Sequence, residues 1–523
     1  MLLTKLSALI ICVTIKNFEA ARILAFYPTP SFSHQIVFRP ITLELLKRGH
    51  EVTVVTADPM FTKDNAPKNL IEIDCHDILY NIIRRKFTTV AVNGRKNDLL
   101  RQLSLTVDLT SEIFEEQAKT SAFQELINNK TQSFDLLLLE ALITPALGLY
   151  HRFKAPIILF SSFGPTPFNY EVVGAPSHPI LYHNIFRQRL YNLTLWEKVQ
   201  ECYNQIRIKL LFSNGENKYN SMLKRVLGES VPPLSVLKEN VDMLFVNMHP
   251  IWEGSYPVPP NVIYLGGVHQ KSAEKLPLDL QEYLDASNNG VIYFSLGTNV
   301  DPTLLSEEKI SIFKNVFSGL PFNVIWKWTN ETISGISGNV RTYKWLPQAD
   351  LLKHPNVKVF ITQGGLQSTD EAITAGVPLI GVPMLGDQWY NVEKYVHHGI
   401  GVMLKLEGLS EDQLRSAIIE TTQNERYREN IIRLRTLMSD QPQTPLERGI
   451  WWIEHVLRHG GAKHLRAPAA NMSWSEYLEI ELVSVLLLCS VLIIILAILV
   501  IRFVVQCIIS HSHILNFKKL KKL

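Results

Sequence analysis

The sequence predicts an α/β protein: two Rossmann-like domains facing each other across a cleft, followed by one transmembrane helix. Three observations carry this prediction. A strand–helix alternation begins at Arg22 and begins again at Val291, prolines and glycines gather between the two, and 20 uncharged residues run from Leu482 to Ile501. Strands alternating with helices give parallel sheets with right-handed crossovers, and such sheets bind ligands beyond the carboxyl ends of their strands. At 523 residues each part has enough chain to bury its own core.

The elements follow in order. Lys5, the apolar run Leu6–Ile15 and the small pair Ala20-Ala21 read as a secretory signal over residues 1–20. An N-terminal domain over 21–265 opens with strand Arg22–Tyr27. A loop with Pro28, Pro30 and Ser31 leads to a helix from His34 to Lys47, stopped by Gly49, and to strand Glu51–Thr56. Asp135–Leu139 and Pro156–Ser161 are further strands. From Tyr170 to Pro233 the periodicity fades into helical, polar and aromatic stretches, expected by elimination to face an acceptor. Prolines and glycines accumulate from Pro257 to Gly267, and the interdomain linker is placed at 266–285.

The second domain, 286–460, carries strands at Val291–Ser295, Asn323–Trp328, Val357–Thr362, Pro378–Pro383 and Gly401–Leu406. Helices such as Ser306–Ser318 and Asp387–His397 fall between them. A juxtamembrane segment over 461–481 leads to the span at 482–501 and a basic tail at 502–523. A hydrocarbon core of ~30 Å needs about that many helical residues. Glu476, Glu479 and Glu481 precede the span, whereas Arg502, Lys518, Lys519, Lys521 and Lys522 follow it. The charge asymmetry predicts a single-pass type I protein with a cytosolic tail and a lumenal body. Lys519 and Lys521 resemble an endoplasmic reticulum return signal, and a plain basic tail fits equally well. Sequons at Asn129, Asn192, Asn330 and Asn471 suit a lumenal body.

Net charge is +3 with both signs interspersed, which gives no basic stripe for nucleic acid. Cys75 and Cys202 are the two cysteines of the expected soluble part, and whether they pair stays open. No zinc-ligand spacing is present and no metal is expected.

The densest chemistry runs from Trp345 to Gln388. Strand Val357–Thr362 enters Gly364-Gly365 and then a helix starting near Ser368. Glycines at such a turn let the backbone approach a phosphate, and the helix N-terminus offers unpaired N–H groups and partial positive charge. Around this cradle stand Trp345 for stacking on a base, and Gln348 and Glu371 for base or ribose edges. Ser295, Gly297 and Thr298 end another strand, where hydroxyls and a close backbone suit a diphosphate.

The run Trp-Leu-Pro-Gln, His-Pro, Gly-Gly-x-x-Ser-x-x-Glu, Pro-x-x-x-Asp-Gln closely resembles the signature of the UDP-glycosyltransferases, in particular the membrane-bound, insect-type branch. Ser295-Leu296-Gly297-Thr298 and the run from Asp440-Gln441-Pro442 to Trp451-Trp452-Ile453-Glu454 extend the likeness over nearly the whole chain. The resemblance implies the GT-B fold and a UDP-sugar as co-substrate, with no cofactor. It implies that Asp387 and Gln388 grip the transferred sugar, and that Ser368 and Gln363 stand at the phosphates. His34, in Ser31-Phe32-Ser33-His34, matches the family's general base, and Glu140 matches its partner Asp. Two positions depart from the family: Gln363 stands where most members have His, and Gln367 where Asn is common.

The expected reaction is inverting transfer of a hexose, glucose before glucuronate, to a hydroxyl of a small lipophilic acceptor. A catalytically impaired sugar-nucleotide or lipophile binder is the alternative. Phe32, Phe163, Phe168 and Tyr170 are candidates for an apolar acceptor pocket, the lipid bilayer is an expected partner, and homo-oligomer formation is left open.

Overall fold

The computed structural model describes residues 20–62, 64–86, 99–329, 333–470 and 472–520. The expected signal segment before Ala20, the sequon asparagines Asn330 and Asn471, and Lys521 and Lys522 lie outside the described residues. The chain forms two units, residues 1–470 and 471–523.

The first unit holds two parallel sheets. One has seven strands: β1 Arg22–Tyr27, β2 Glu51–Thr56, β3 Leu70–Asp74, β4 Leu136–Glu140, β5 Ile157–Ser161, β6 Val241–Val246 and β7 Val262–Tyr264, in the order β3-β2-β1-β4-β5-β6-β7. The other has six: β8 Val291–Ser295, β9 Asn323–Lys327, β10 Val340–Tyr343, β11 Val357–Thr362, β12 Leu379–Gly381 and β13 Gly401–Met403, in the order β10-β9-β8-β11-β12-β13. Strands such as β4, Leu-Leu-Leu-Leu-Glu, are buried at every residue, as strands covered by helices on both faces must be.

In both sheets the chain runs outward from the first strand and then returns to that strand's other side. β1 therefore lies between β2 and β4, and β8 between β9 and β11. The loops after β1 and β4, and those after β8 and β11, diverge at these reversal points and leave a crevice. That is where the polar motifs sit.

Four long helices belong with the first sheet. Helix α1, Phe32–Lys47, starts two residues earlier than expected, because extended Ser31 accepts His34 N–H at 2.9 Å on its carbonyl and begins the turn. Helix α2 is Leu99–Ala118 and α3 is Leu195–Leu227, a 33-residue helix inside the stretch where the sequence shows no clear period. Helix α4, Pro445–His459, returns to the first sheet. Its Ile450, Ile453 and Val456 join the core around β1, and Arg48 donates to Glu454 at 2.8 Å.

The second unit carries a short helix, Trp474–Tyr477, and a long one, Ile480–Leu520, of which Ile480–Ser512 is apolar enough to cross a membrane. It runs past the expected end at Ile501 because Phe503, Val504, Val505, Ile508 and Ile509 continue the apolar pattern beyond Arg502.

Candidate active site

His34 lies in the first turn of α1, and Glu140 is the last residue of β4, not the residue after it. The reversal between β1 and β4 brings them together across 106 residues, with His34 Nδ1 3.0 Å from Glu140 Oε1. Glu140 is fully buried, and its Oε2 accepts the Thr29 N–H at 3.0 Å, so both carboxylate oxygens have partners. The extra methylene of Glu over Asp is thus absorbed with normal geometry. A carboxylate can only accept, so Nδ1 carries the imidazole proton and Nε2 keeps its lone pair. Ser162 Oγ also stands 2.8 Å from Nδ1. Asp135, just before the start of β4, accepts the Arg22 N–H at 2.7 Å at the start of β1, far from His34 along the strand.

The other wall is a connected polar cluster. Helix α5, Gln348–Leu352, presents Gln348, whose amide donates to Glu371 Oε2 at 2.7 Å and Ser368 Oγ at 2.9 Å. Its oxygen accepts from Tyr293 at 3.0 Å. Glu371 and Ser368 belong to helix α6, Leu366–Ala375, which begins directly after Gly365. Burial pushes the Glu371 carboxyl up to about 7 and the Asp387 carboxyl up to about 6. Trp345 is 57% exposed, which removes it from the core and leaves a face for stacking. It meets the Phe32 ring in a T-shaped contact at 5.0 Å between centres, and the Lys327 ammonium lies 4.9 Å from its ring centre.

One cavity of about 1000 Å³ joins both walls, at the upper end for a small-molecule site and roomy enough for two ligands. His34, Gly297, Thr298, Trp345, Gln348, Gln363, Gly365, Ser368, Glu371, Asp387 and Gln388 line it. Ser295 and Gly364 do not; they shape the turns behind it. The Ser295 hydroxyl accepts the Gly297 N–H at 3.2 Å. Gly364, at φ +91°, packs where a Cβ would sit 2.4 Å from Val392. Gln388 spends its carboxamide oxygen on the Met384 and Leu385 N–H groups, which leaves its amide nitrogen for a ligand. Gln363 keeps a buried oxygen with no hydrogen-bond partner.

Phe32 and Phe163 line the cavity, but Phe168 and Tyr170 do not. Both lie in the N-terminal core, where the Tyr170 hydroxyl donates to buried Glu253 and Lys238 sits over the Phe168 ring. Cys75 is buried, Cys202 is exposed, and both are free thiols.

Contacts also cross the cleft. Gln367 donates to the Ser162 carbonyl at 2.8 Å, Ser31 to Asn299 at 2.9 Å, and the Gly386 N–H to Gln102 at 3.0 Å. Helix α7, Gln388–His398, supplies Asn391, a residue the sequence reading passes over. Its amide donates to the Gly364 carbonyl at 2.9 Å and Asp387 Oδ2 at 3.1 Å, and its oxygen accepts from Trp252 at 3.1 Å. Asn391 therefore ties the glycine turn, the acidic residue and the N-terminal half together. Its spacing of four from Asp387 on a helix was the available signal. Lys327 and His269 also line the cavity unforeseen. Lys327 donates to the Gly297 carbonyl at 2.9 Å, and burial holds His269 down to about 4, hence neutral.

Comparison with known proteins matches residues 22–513 to the family described as UDP-glucoronosyl and UDP-glucosyl transferase. The ecdysteroid UDP-glucosyltransferase of Spodoptera littoralis nuclear polyhedrosis virus is 36% identical over 90% of this chain and 94% of its own. UDP-glucuronosyltransferase 2B14 of Oryctolagus cuniculus is 30% identical over 88% and 89%. Among solved structures, glycosyltransferase VinC in complex with dTDP superimposes with a TM-score of 0.57 at 18% identity, covering 84% of this chain and all (100%) of that one. The two-sheet architecture is the GT-B fold.

Proposed function

The chain belongs to the UDP-glucoronosyl and UDP-glucosyl transferase family, and from that premise we propose that it transfers glucose from UDP-glucose to a hydroxyl of a lipophilic acceptor with inversion. The observation that carries the reading is the His34–Glu140 pair, 3.0 Å apart, in which buried Glu140 stands behind His34 and His34 lines the same cavity as Gly365, Glu371 and Asp387.

In this reading uracil stacks on Trp345, ribose hydroxyls donate to Glu371, and the diphosphate meets the N–H groups of α6 with Ser368 and Thr298. Asp387 and Gln388 hold the hexose. His34 Nε2 takes the acceptor proton as that oxygen attacks the anomeric carbon. The bond to UDP breaks with its electron pair on the leaving phosphate, and Glu140 stabilises the imidazolium. The names of the viral relatives favour glucose and a steroid-sized acceptor, and the buried carboxyl of Asp387 is a poor neighbour for a second carboxylate on the sugar. The apolar helix anchors the chain in the endoplasmic reticulum membrane with the body lumenal.

The test incubates the full chain in membranes with radiolabelled UDP-glucose or UDP-glucuronate and a panel of phenols, flavonoids and steroids, an ecdysteroid included. Transfer from UDP-glucose is expected. Preference for UDP-glucuronate refutes the donor assignment, and UDP binding without transfer from either donor refutes the activity.

A further inference from the structure

Trp252 is fully buried in the N-terminal half, on the short helix Pro250–Glu253 after β6, yet its polar group serves the other half. Its indole N–H donates to the Asn391 carboxamide oxygen at 3.1 Å. Helix α7 holds the same residue three, four and seven positions further on. Lys394 donates to the Trp252 carbonyl, the Tyr395 ring centre lies 6.2 Å from the indole, and His398 stacks on it at 5.6 Å. Steps of this size place Asn391, Lys394, Tyr395 and His398 on one face of the helix.

The orientation of the Asn391 amide follows from its partners. An indole N–H can only donate, so it holds the oxygen of Asn391 toward Trp252. The nitrogen then faces two acceptors, the Gly364 carbonyl at 2.9 Å and Asp387 Oδ2 at 3.1 Å. A turned amide would set its oxygen against the Asp387 carboxylate. Asn391 is itself fully buried, so removing the indole N–H strands its oxygen without a partner and frees the amide to turn.

We propose that Trp252 is a positioning residue for sugar binding: it orients Asn391, and through it Asp387, so that the hexose grip is complete only while the two halves are docked. The inference rests on the proposed role of Asp387 as a hexose ligand. Neither Trp252 nor Asn391 lines the cavity, so the chain of contacts reaches a ligand only at Asp387. The N-terminal half, which carries the proposed proton-transfer pair, thereby also takes part in holding the donor.

Two substitutions separate orientation from packing. Trp252→Phe keeps an aromatic ring and removes the donor. Trp252→His loses volume but keeps a ring N–H, because an imidazole laid on the five-membered part of the indole puts Nε2 at the indole nitrogen. Isothermal titration of the full chain in nanodiscs with UDP, UDP-glucose and UDP-glucuronate reads the sugar grip without needing transfer. Trp252→Phe is expected to weaken the sugar nucleotide that wild type prefers about fivefold, and UDP less than about twofold. Trp252→His should bind that nucleotide more tightly than Trp252→Phe does, and Trp252→Phe should cost nothing further in a chain carrying Asn391→Ala. An equal loss for UDP and the sugar nucleotide, tighter binding by Trp252→Phe than by Trp252→His, or losses that add to those of Asn391→Ala overturn the proposal and assign Trp252 to packing. Equal wild-type affinity for UDP and both sugar nucleotides removes the hexose grip, and the proposal with it. Absence of transfer with these affinities intact counts against the proposed activity alone.

Discussion

The two walls of the cleft are built in opposite ways. The donor wall comes chiefly from one stretch, Trp345 to Gln388, and its polar groups already bond one another: Tyr293 to Gln348, Gln348 to Ser368 and Glu371, Asn391 to Asp387. The proposed acceptor wall is collected from α1, the loop after β2, α2 and the loop after β5, with Phe32, Met60, Phe61, Leu109 and Phe163 among its residues. A ligand of constant chemistry is met by preorganised polar groups, whereas an apolar surface drawn from scattered elements can be reshaped without disturbing them. The proposed proton-transfer pair, His34 and Glu140, stands on the apolar side.

The sharpest way to break this contrast is His34→Ala. Turnover should fall at least ~100-fold while UDP affinity stays unchanged, because the donor wall does not include the histidine. Steady-state kinetics with UDP inhibition checks both halves.

Asn391→Ala comes next. Removing a buried amide that serves Gly364 and Asp387 should lower kcat/KM for UDP-glucose about tenfold, with the UDP inhibition constant moving less than about twofold. An equal loss in both would show that Asn391 supports the wall as a whole and not the sugar end.

A smaller effect is expected with pH. Burial raises the carboxyls of Asp387 to about 6 and Glu371 to about 7, so they ionise later than ordinary carboxyls. As carboxylates they accept sugar and ribose hydroxyls best. KM for the donor should therefore fall severalfold, about fivefold, as pH rises from about 5.5 to about 7.5. Stability runs the other way. The folded chain binds more protons at these groups than the unfolded chain, so their contribution is fully present below the ordinary carboxyl range and is lost as pH rises through 6 to 7. Thermal unfolding with and without UDP-glucose at both pH values reads the two trends.

The smallest change is Gln363→His. A ring in place of an amide whose oxygen lacks a partner can carry positive charge toward the diphosphate, and KM for the donor should fall about threefold. Isothermal titration with UDP checks it.

The donor wall was legible because its residues are close in sequence and chemically distinctive. Central strands such as β1, β2, β8 and β11 were legible to the residue, since continuous apolar runs bounded by turn residues have few other readings. Strands β3, β7 and β10 lie at sheet edges, β3 and β10 with exposed positions and β7 only three residues long, and β6 hides behind Asp242, whose carboxylate accepts the Ile157 and Ala462 N–H groups. Helix α3 was missed for a different reason: apolar residues on its outer face erase the one-sided period that marks a helix. Phe168 and Tyr170 show the limit on the acceptor side, because an aromatic ring in a core and one in a pocket read alike.

The central claim is that His34 moves a proton and that nothing on the donor wall substitutes for it. It is tested by comparing wild type and His34→Ala across acceptors of graded acidity, from an aliphatic alcohol to a nitrophenol that is ionised at the assay pH. The mutational loss should shrink from at least ~100-fold for the alcohol to under about tenfold for the ionised phenol. An equal loss for both acceptors would contradict the account.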